Sequence, residues 1–135
     1  MLAAAACFLA ASGARPSGPE PGSAELALDL TRSGRFAEAV LAWRGLAQGF
    51  AAEGRRGEQI LALVRVADAE QALGRYTDSL RTLAAAQDVA GEGAGAAELA
   101  AIQGSIGNAY VALGPPGLAR EHLAKALELA RTAGA

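Results

Sequence analysis

The chain has 135 residues, 52% hydrophobic and 19% charged, which is one domain's worth of an ordinary globular mixture. A formal net charge of -2, with the arginines scattered among acidic residues, leaves no basic face to neutralise phosphates and argues against nucleic acid as a partner. A single cysteine, Cys7, and a single histidine, His122, exclude an intrachain disulfide, a cysteine zinc site, a histidine-pair metal site and an H-E-x-x-H motif.

Alanine and leucine are abundant, while aromatic residues make up only 4% of the chain, the balance of close-packed helices rather than sheets. The chain opens on an apolar run from Leu2 to Ala11. The run is too short to span a bilayer, which takes about 20 apolar residues, but it has the length of a signal-peptide core. Ser12 and Ala14 then supply small residues for cleavage, although no basic leader precedes the run. This pattern favours an exported, periplasmic or cell-envelope protein over a cytoplasmic one. Cys7 reads as an inert apolar residue rather than a lipid attachment site. Prolines at 16, 19 and 21 cannot continue a helix, so residues up to 22 form an apolar leader and a Pro/Gly linker. Ser23 is placed to cap a new helix, with Glu25 in its first turn favourable to the helix dipole.

From residue 23 to 135 the chain matches itself best at a shift of forty residues, which aligns Gly34-Arg35-Phe36, Gly74-Arg75-Tyr76 and Gly114-Pro115-Pro116. The units run over about 20–59, 60–99 and 100–135. In each, a helical pattern stops at the glycine, a residue suited to the left-handed conformation past a helix end, and a second helical pattern follows at once. Each unit is therefore expected to be a helical hairpin. Ala27, Ala67 and Gly107 align ahead of the glycine, and Ala39, Ser79 and Ala119 align behind it. Trp43, Leu83 and Leu123 form a large set one turn further on, so small residues are predicted to face large ones across each hairpin. The first helix of unit two carries Ile60, Leu63, Val64 and Ala67 on one stripe and Val66, Ala69 and Leu73 on another. A helix apolar on two sides is an inner helix of a stack.

The glycines of Gly91-Glu92-Gly93-Ala94-Gly95 have neither a preceding strand nor a following lysine, so they are read as a turn between hairpins rather than a phosphate loop. Pro115-Pro116 is a helix start, where a missing donor does no harm. His122 falls on a helix surface with no positioned nucleophile, a weak basis for catalysis.

GSIGNAYVALG followed by LAREHLAKALELA resembles the tetratricopeptide repeat, with Gly107, Tyr110, Ala119, Leu123 and Ala126 at its signature places. Unit two matches through Ala67, Gly74, Tyr76, Ser79, Leu83 and Ala86, with Glu70 where the family usually has an aromatic. Unit one matches through Leu26, Ala27, Leu30, Gly34, Phe36, Ala39 and Trp43. The resemblance implies an all-α, right-handed α-solenoid of three helix-turn-helix hairpins. The family's usual period is about 34 residues, and the surplus here falls around Ala52–Gly57 and Gly91–Ala96, lengthening helices or loosening loops. Extended units behind an exported leader also resemble the arrays that precede CHAT protease domains in bacterial proteins.

Stacked hairpins of this family line up their first helices on a concave face that binds peptides or partner helices. Matching positions put Arg65, Asp68, Gln71, Gln103, Ser105, Asn108 and Val111 on that face, with Thr31 and Arg32 at one end. The family's carboxylate-grasping groove uses lysines, an arginine and paired asparagines. Only Asn108 and Arg65 match it, with Leu28 and Asp68 at other asparagine positions, so capture of an acidic chain terminus is not expected. The resemblance implies a non-enzymatic protein-interaction module with a protein or peptide partner, no cofactor, no metal and no small-molecule substrate. The alternative is a regulatory or sensing fragment of a larger enzyme, such as a CHAT-type protease. In the last helix, Leu118 and Leu129 lie on one stripe and Leu123 and Leu127 on another, and only one can face the hairpin partner. The other is expected to be open, which predicts that the natural protein is longer, self-associates through this C-terminal helix or binds another partner there.

Overall fold

The computed structural model describes residues 22–134. The leader run Leu2–Ala11, Cys7 and nearly all of the Pro/Gly linker lie outside the described residues, and with them the expectation of export. The described residues form helices and connecting turns, with no strand: α1 (Ala24–Arg32), α2 (Phe36–Ala52), α3 (Arg56–Ala72), α4 (Tyr76–Ala90), α5 (Ala96–Leu113) and α6 (Pro116–Gly134). None of these helices is long and apolar enough to cross a membrane. Consecutive helices pack on one another and α3 also touches α5, which makes a helical solenoid of three hairpins, α1–α2, α3–α4 and α5–α6.

Local chemistry sets the helix ends. Ser23 Oγ accepts a hydrogen bond from Leu26 N–H at 3.1 Å, satisfying one of the unpaired donors at the start of α1. α1, α2 and α3 all close in the same way. Gly34, Gly54 and Gly74 take φ of 76°, 72° and 76°, and the residue after each glycine donates its N–H back to a carbonyl five residues earlier (Arg35 to Leu30, Arg55 to Phe50, Arg75 to Glu70). That is the Schellman closure, which needs a left-handed residue and so favours glycine. Gly54 closes α2 as Gly34 and Gly74 close their hairpins, so the turns within and between hairpins use one device at twenty-residue spacing. Gly114 departs from the expectation, with φ −118° and ψ 180°. Pro115 explains the difference, because a residue before proline is pushed into extended backbone and cannot take the helical or left-handed conformation comfortably.

The surplus residues of the forty-residue period go mostly into helix. α2 and α3 are 17 residues each, joined by a short turn. Between α4 and α5 the chain instead uses the glycine-rich stretch 91–95 as a turn. Arg56 holds it by donating to the carbonyls of Val89 (2.7 Å) and Ala90 (3.4 Å), a cation on the negative end of α4.

α3 is the inner helix its two apolar stripes predict. Ala62, Val66 and Ala69 belong to a core cluster with Ala27, Leu30, Val40 and Trp43 of the first hairpin. Ile60, Val64 and Ala67 belong to a second cluster with Leu83, Ala86, Ile102 and Ile106, and Leu63 packs against both. Leu73 is the exception on these stripes, being 36% exposed where it ends the helix. The small residues sit where close approach demands them. Ala27, Ala67, Ala39 and Ser79 are fully buried. A Cβ on Gly107 would stand 2.6 Å from Leu123 Cγ, closer than packed carbon atoms tolerate.

Candidate functional site

Between α3 and α5 the surface dips into a depression of about 380 Å³. α3 supplies Leu61, Val64, Arg65 and Asp68; α5 supplies Ala100, Ala101, Gly104, Ser105 and Asn108. Small residues along α5 leave the space, while longer side chains of α3 form its opposite wall. Leu61 and Arg65 also line a second, smaller hollow with Trp43, Phe50 and Ala24, so the surface continues toward the first hairpin.

The polar floor is held by a relay between the two helices. Ser105 Oγ donates to Asp68 Oδ1 at 2.6 Å. Gln71 Nε2 donates to the backbone oxygen of Ser105 at 3.0 Å and reaches its hydroxyl at 3.1 Å. α3 and α5 are thereby locked in register by three side chains, and the polar atoms that shape the depression are held in place by one another. The Asp68 carboxyl titrates above the usual carboxylate range. Surrounding protein displaces its water and disfavours the charge, and the hydrogen bond from Ser105 and the positive charge of Arg65 only partly offset this. Arg65 is itself steered, its guanidinium carbon lying 5.6 Å from the Trp43 ring centroid.

The residues predicted for the partner face do not all meet. Arg65, Asp68, Ser105 and Asn108 line the depression together, and Gln71 is tied to it through Ser105. Gln103 turns the other way. It is buried against the partner helix α6, with its Oε1 2.7 Å from His122 Nδ1, and His122 stacks on Tyr110 at 5.5 Å between ring centroids. Repeat register carries a signal for this placement, because Gln103 aligns with Leu63, a core position. Val111 lies on a different surface, 67% exposed beside α6. At the other end Thr31 is engaged in packing, accepting from Trp43 Nε1 at 3.1 Å and donating to the Ala27 carbonyl at 2.8 Å. Arg32 is exposed.

Sequence reasoning marks Glu70 only as a departure from pattern. The structure gives it a role between helices: 5% exposed, it accepts from Thr82 Oγ1 at 2.6 Å and lies 3.8 Å from Arg44. Forty residues on, Tyr110 and His122 occupy the corresponding positions, so one contact point in the hairpin is filled by a carboxylate and a hydroxyl in one unit and by two rings in the next. Among the described residues no group of three His, Cys, Asp or Glu side chains is placed to hold a metal ion.

No curated protein and no solved structure matches the chain. A family model described as tetratricopeptide repeat matches residues 58–132, which include almost all of the second and third hairpins. The match concerns the hairpins and does not bear on the resemblance to CHAT-associated arrays. Modules of this family are typically non-catalytic scaffolds for protein–protein interaction. With more than half of its length matched and three stacked hairpins in its fold, the chain belongs to the tetratricopeptide repeat family.

Proposed function

We propose that this chain is a non-enzymatic interaction module that takes a peptide or partner helix into the depression between α3 and α5. The observation that carries the reading is the convergence of Arg65, Asp68, Ser105 and Asn108 on one hollow whose floor is already locked by the relay through Ser105. A preformed, partly apolar hollow with a few oriented polar groups lowers the ordering cost of binding. Arg65 and Asp68 offer opposite charges to a ligand, and Asn108 offers both a donor and an acceptor, a set suited to a peptide backbone and its flanking side chains. His122 is engaged with Gln103 and Tyr110, an arrangement that supports a packing role rather than a catalytic one.

Selection of a random peptide library on the wild-type chain tests this. The reading expects enriched peptides whose affinity falls about tenfold or more in Arg65→Glu and Asn108→Leu, with the helical circular dichroism unchanged. Enriched peptides that bind both variants as well as wild type would move the site elsewhere. Forty-residue units also favour a second reading, a sensing segment of a larger CHAT-type protease. An in-frame downstream coding sequence with a His/Cys pair would support it.

A further inference from the structure

A second hollow lies away from the α3–α5 depression, on the outer face of the last hairpin. It measures about 630 Å³ and is lined by Val111 and Gly114 of the α5 end and, along α6, by Ala119, Arg120, Leu123 and Leu127 among others. Val111 is 67% exposed, Leu127 54% and Leu123 37%. Repeat register says what this face is for. Forty residues earlier Leu80 and Leu83 of α4 pack in the core cluster that contains Ile102 and Ile106 of α5. Eighty residues earlier Val40 and Trp43 of α2 pack with Ala62 and Val66 of α3. In both hairpins these positions seat the first helix of the next hairpin, whose own apolar side chains there (Ala62 and Val66, Ile102 and Ile106) are spaced four residues apart, against a seat pair spaced three apart. The hollow on α6 continues those two interfaces in register.

The third seat differs from the other two in its chemistry. Arg120 stands where Val40 and Leu80 stand, so a basic group replaces an apolar one in the middle of the seat. Among the described residues no carboxylate lies within 4.0 Å of the Arg120 guanidinium, as is also true of Arg32, Arg56, Arg65, Arg75 and Arg131; what sets Arg120 apart is its place among the apolar residues of the seat. At the rim, Val111 and Leu127 stand where the second hairpin has Gln71 and Gln87, so the edge of the seat is more apolar. A helix like α3 or α5 fits the apolar part but leaves Arg120 facing a hydrophobic stripe, which costs desolvation without a countercharge.

We propose that the outer face of α5 and α6 is a docking seat for an amphipathic helix of another protein, one that shows apolar residues at i and i+4 and a carboxylate placed to meet Arg120. Apolar burial holds such a helix and the ion pair selects its register and partner. This seat is distinct from the α3–α5 depression, and the two are separable by substitution.

The test uses the full chain and a pair of labelled synthetic helices with identical leucine stripes. One helix carries glutamates flanking the stripe and its twin carries lysines. Fluorescence anisotropy at low salt is expected to give the glutamate helix an affinity at least about tenfold tighter than the lysine helix. Arg120→Glu, an exposed change that leaves the fold intact by circular dichroism, is expected to reverse that order. Leu127→Lys is expected to weaken both, and Asn108→Leu, in the other depression, to change neither. Equal affinities for the two helices, an order unmoved by Arg120→Glu, or loss of binding in Asn108→Leu would overturn the proposal. So would sedimentation showing a wild-type dimer that Leu127→Lys dissociates, since a second copy would then fill the seat.

Discussion

The second and third hairpins are built to one pattern and end in different states. α4 buries Ser79, Leu83, Ala86 and Ala90, whereas α6, four residues longer, buries only Ala119. Leu83 is fully buried; Leu123, at the same register position, is 37% exposed. Both leucines meet a small residue of their own hairpin, so the intra-hairpin contact is common to the two. What differs is the helix on the other side: α5 covers α4, and among the described residues nothing covers α6. A hairpin of this chain therefore supplies half of its own core, and the neighbour supplies the rest. This is the nearest-neighbour logic of repeat proteins read from single side chains.

The largest effect is expected where the neighbour is present. Leu83→Ala should cost about 2–5 kcal/mol in chemical denaturation, the range for emptying a closed site. Leu123→Ala, with one side already open, should cost about 1 kcal/mol, because much of its surface stays in water in the folded state. Equal costs would break the comparison. A mid-sized effect is expected at the shared intra-hairpin contact. Gly107→Ala should destabilise by about 1–3 kcal/mol through its clash with Leu123. Adding Leu123→Ala should restore part of that loss, so the double-mutant cycle reads a favourable coupling; additive losses would place the clash elsewhere.

The smallest effect concerns the relay between hairpins. Burial raises the Asp68 pKa above that of the unfolded chain, so the folded state keeps its proton longer as pH rises. The associated stability is fully present below the unfolded pKa and is lost as pH climbs through the raised folded one. Asp68→Asn removes that dependence. Its urea midpoint should vary less than that of wild type across the carboxylate range and should be no lower near neutral pH. A variant with the wild-type pH slope would show that Asp68 is not the group responsible.

Much of the fold was legible because packing and turn chemistry act locally. The Ser23 cap, the glycine ends at 34 and 74, the two-sided apolar pattern of α3 and the small positions facing large ones all follow from rules that a few neighbouring residues satisfy. Gly114 was misread because two local rules compete there, and the proline that follows wins over the habit of helix-ending glycines. The candidate site was less legible. Arg65, Asp68, Ser105 and Asn108 reach one hollow as helical spacing suggests, but Gln103 does not, because two residues before Ser105 it lies about 200° around α5, on the face that Leu63 uses for the core in the preceding hairpin. What register does not disclose is the partner: His122 sits nineteen residues away on another helix and meets Gln103 only in the folded hairpin. Val111 aligns with Gln71 and Thr31, yet among the described residues no helix packs beyond α6, and there its position lies on an outer face rather than on the inner one.

Native-state hydrogen exchange tests most directly the claim that the neighbour completes each hairpin. The account predicts that the amides of α4 exchange near the global unfolding limit, while those of α6, from Ala119 to Arg131, exchange faster through local opening. Uniform protection across α4 and α6 would contradict it, since the last hairpin would then be complete without anything on its outer face.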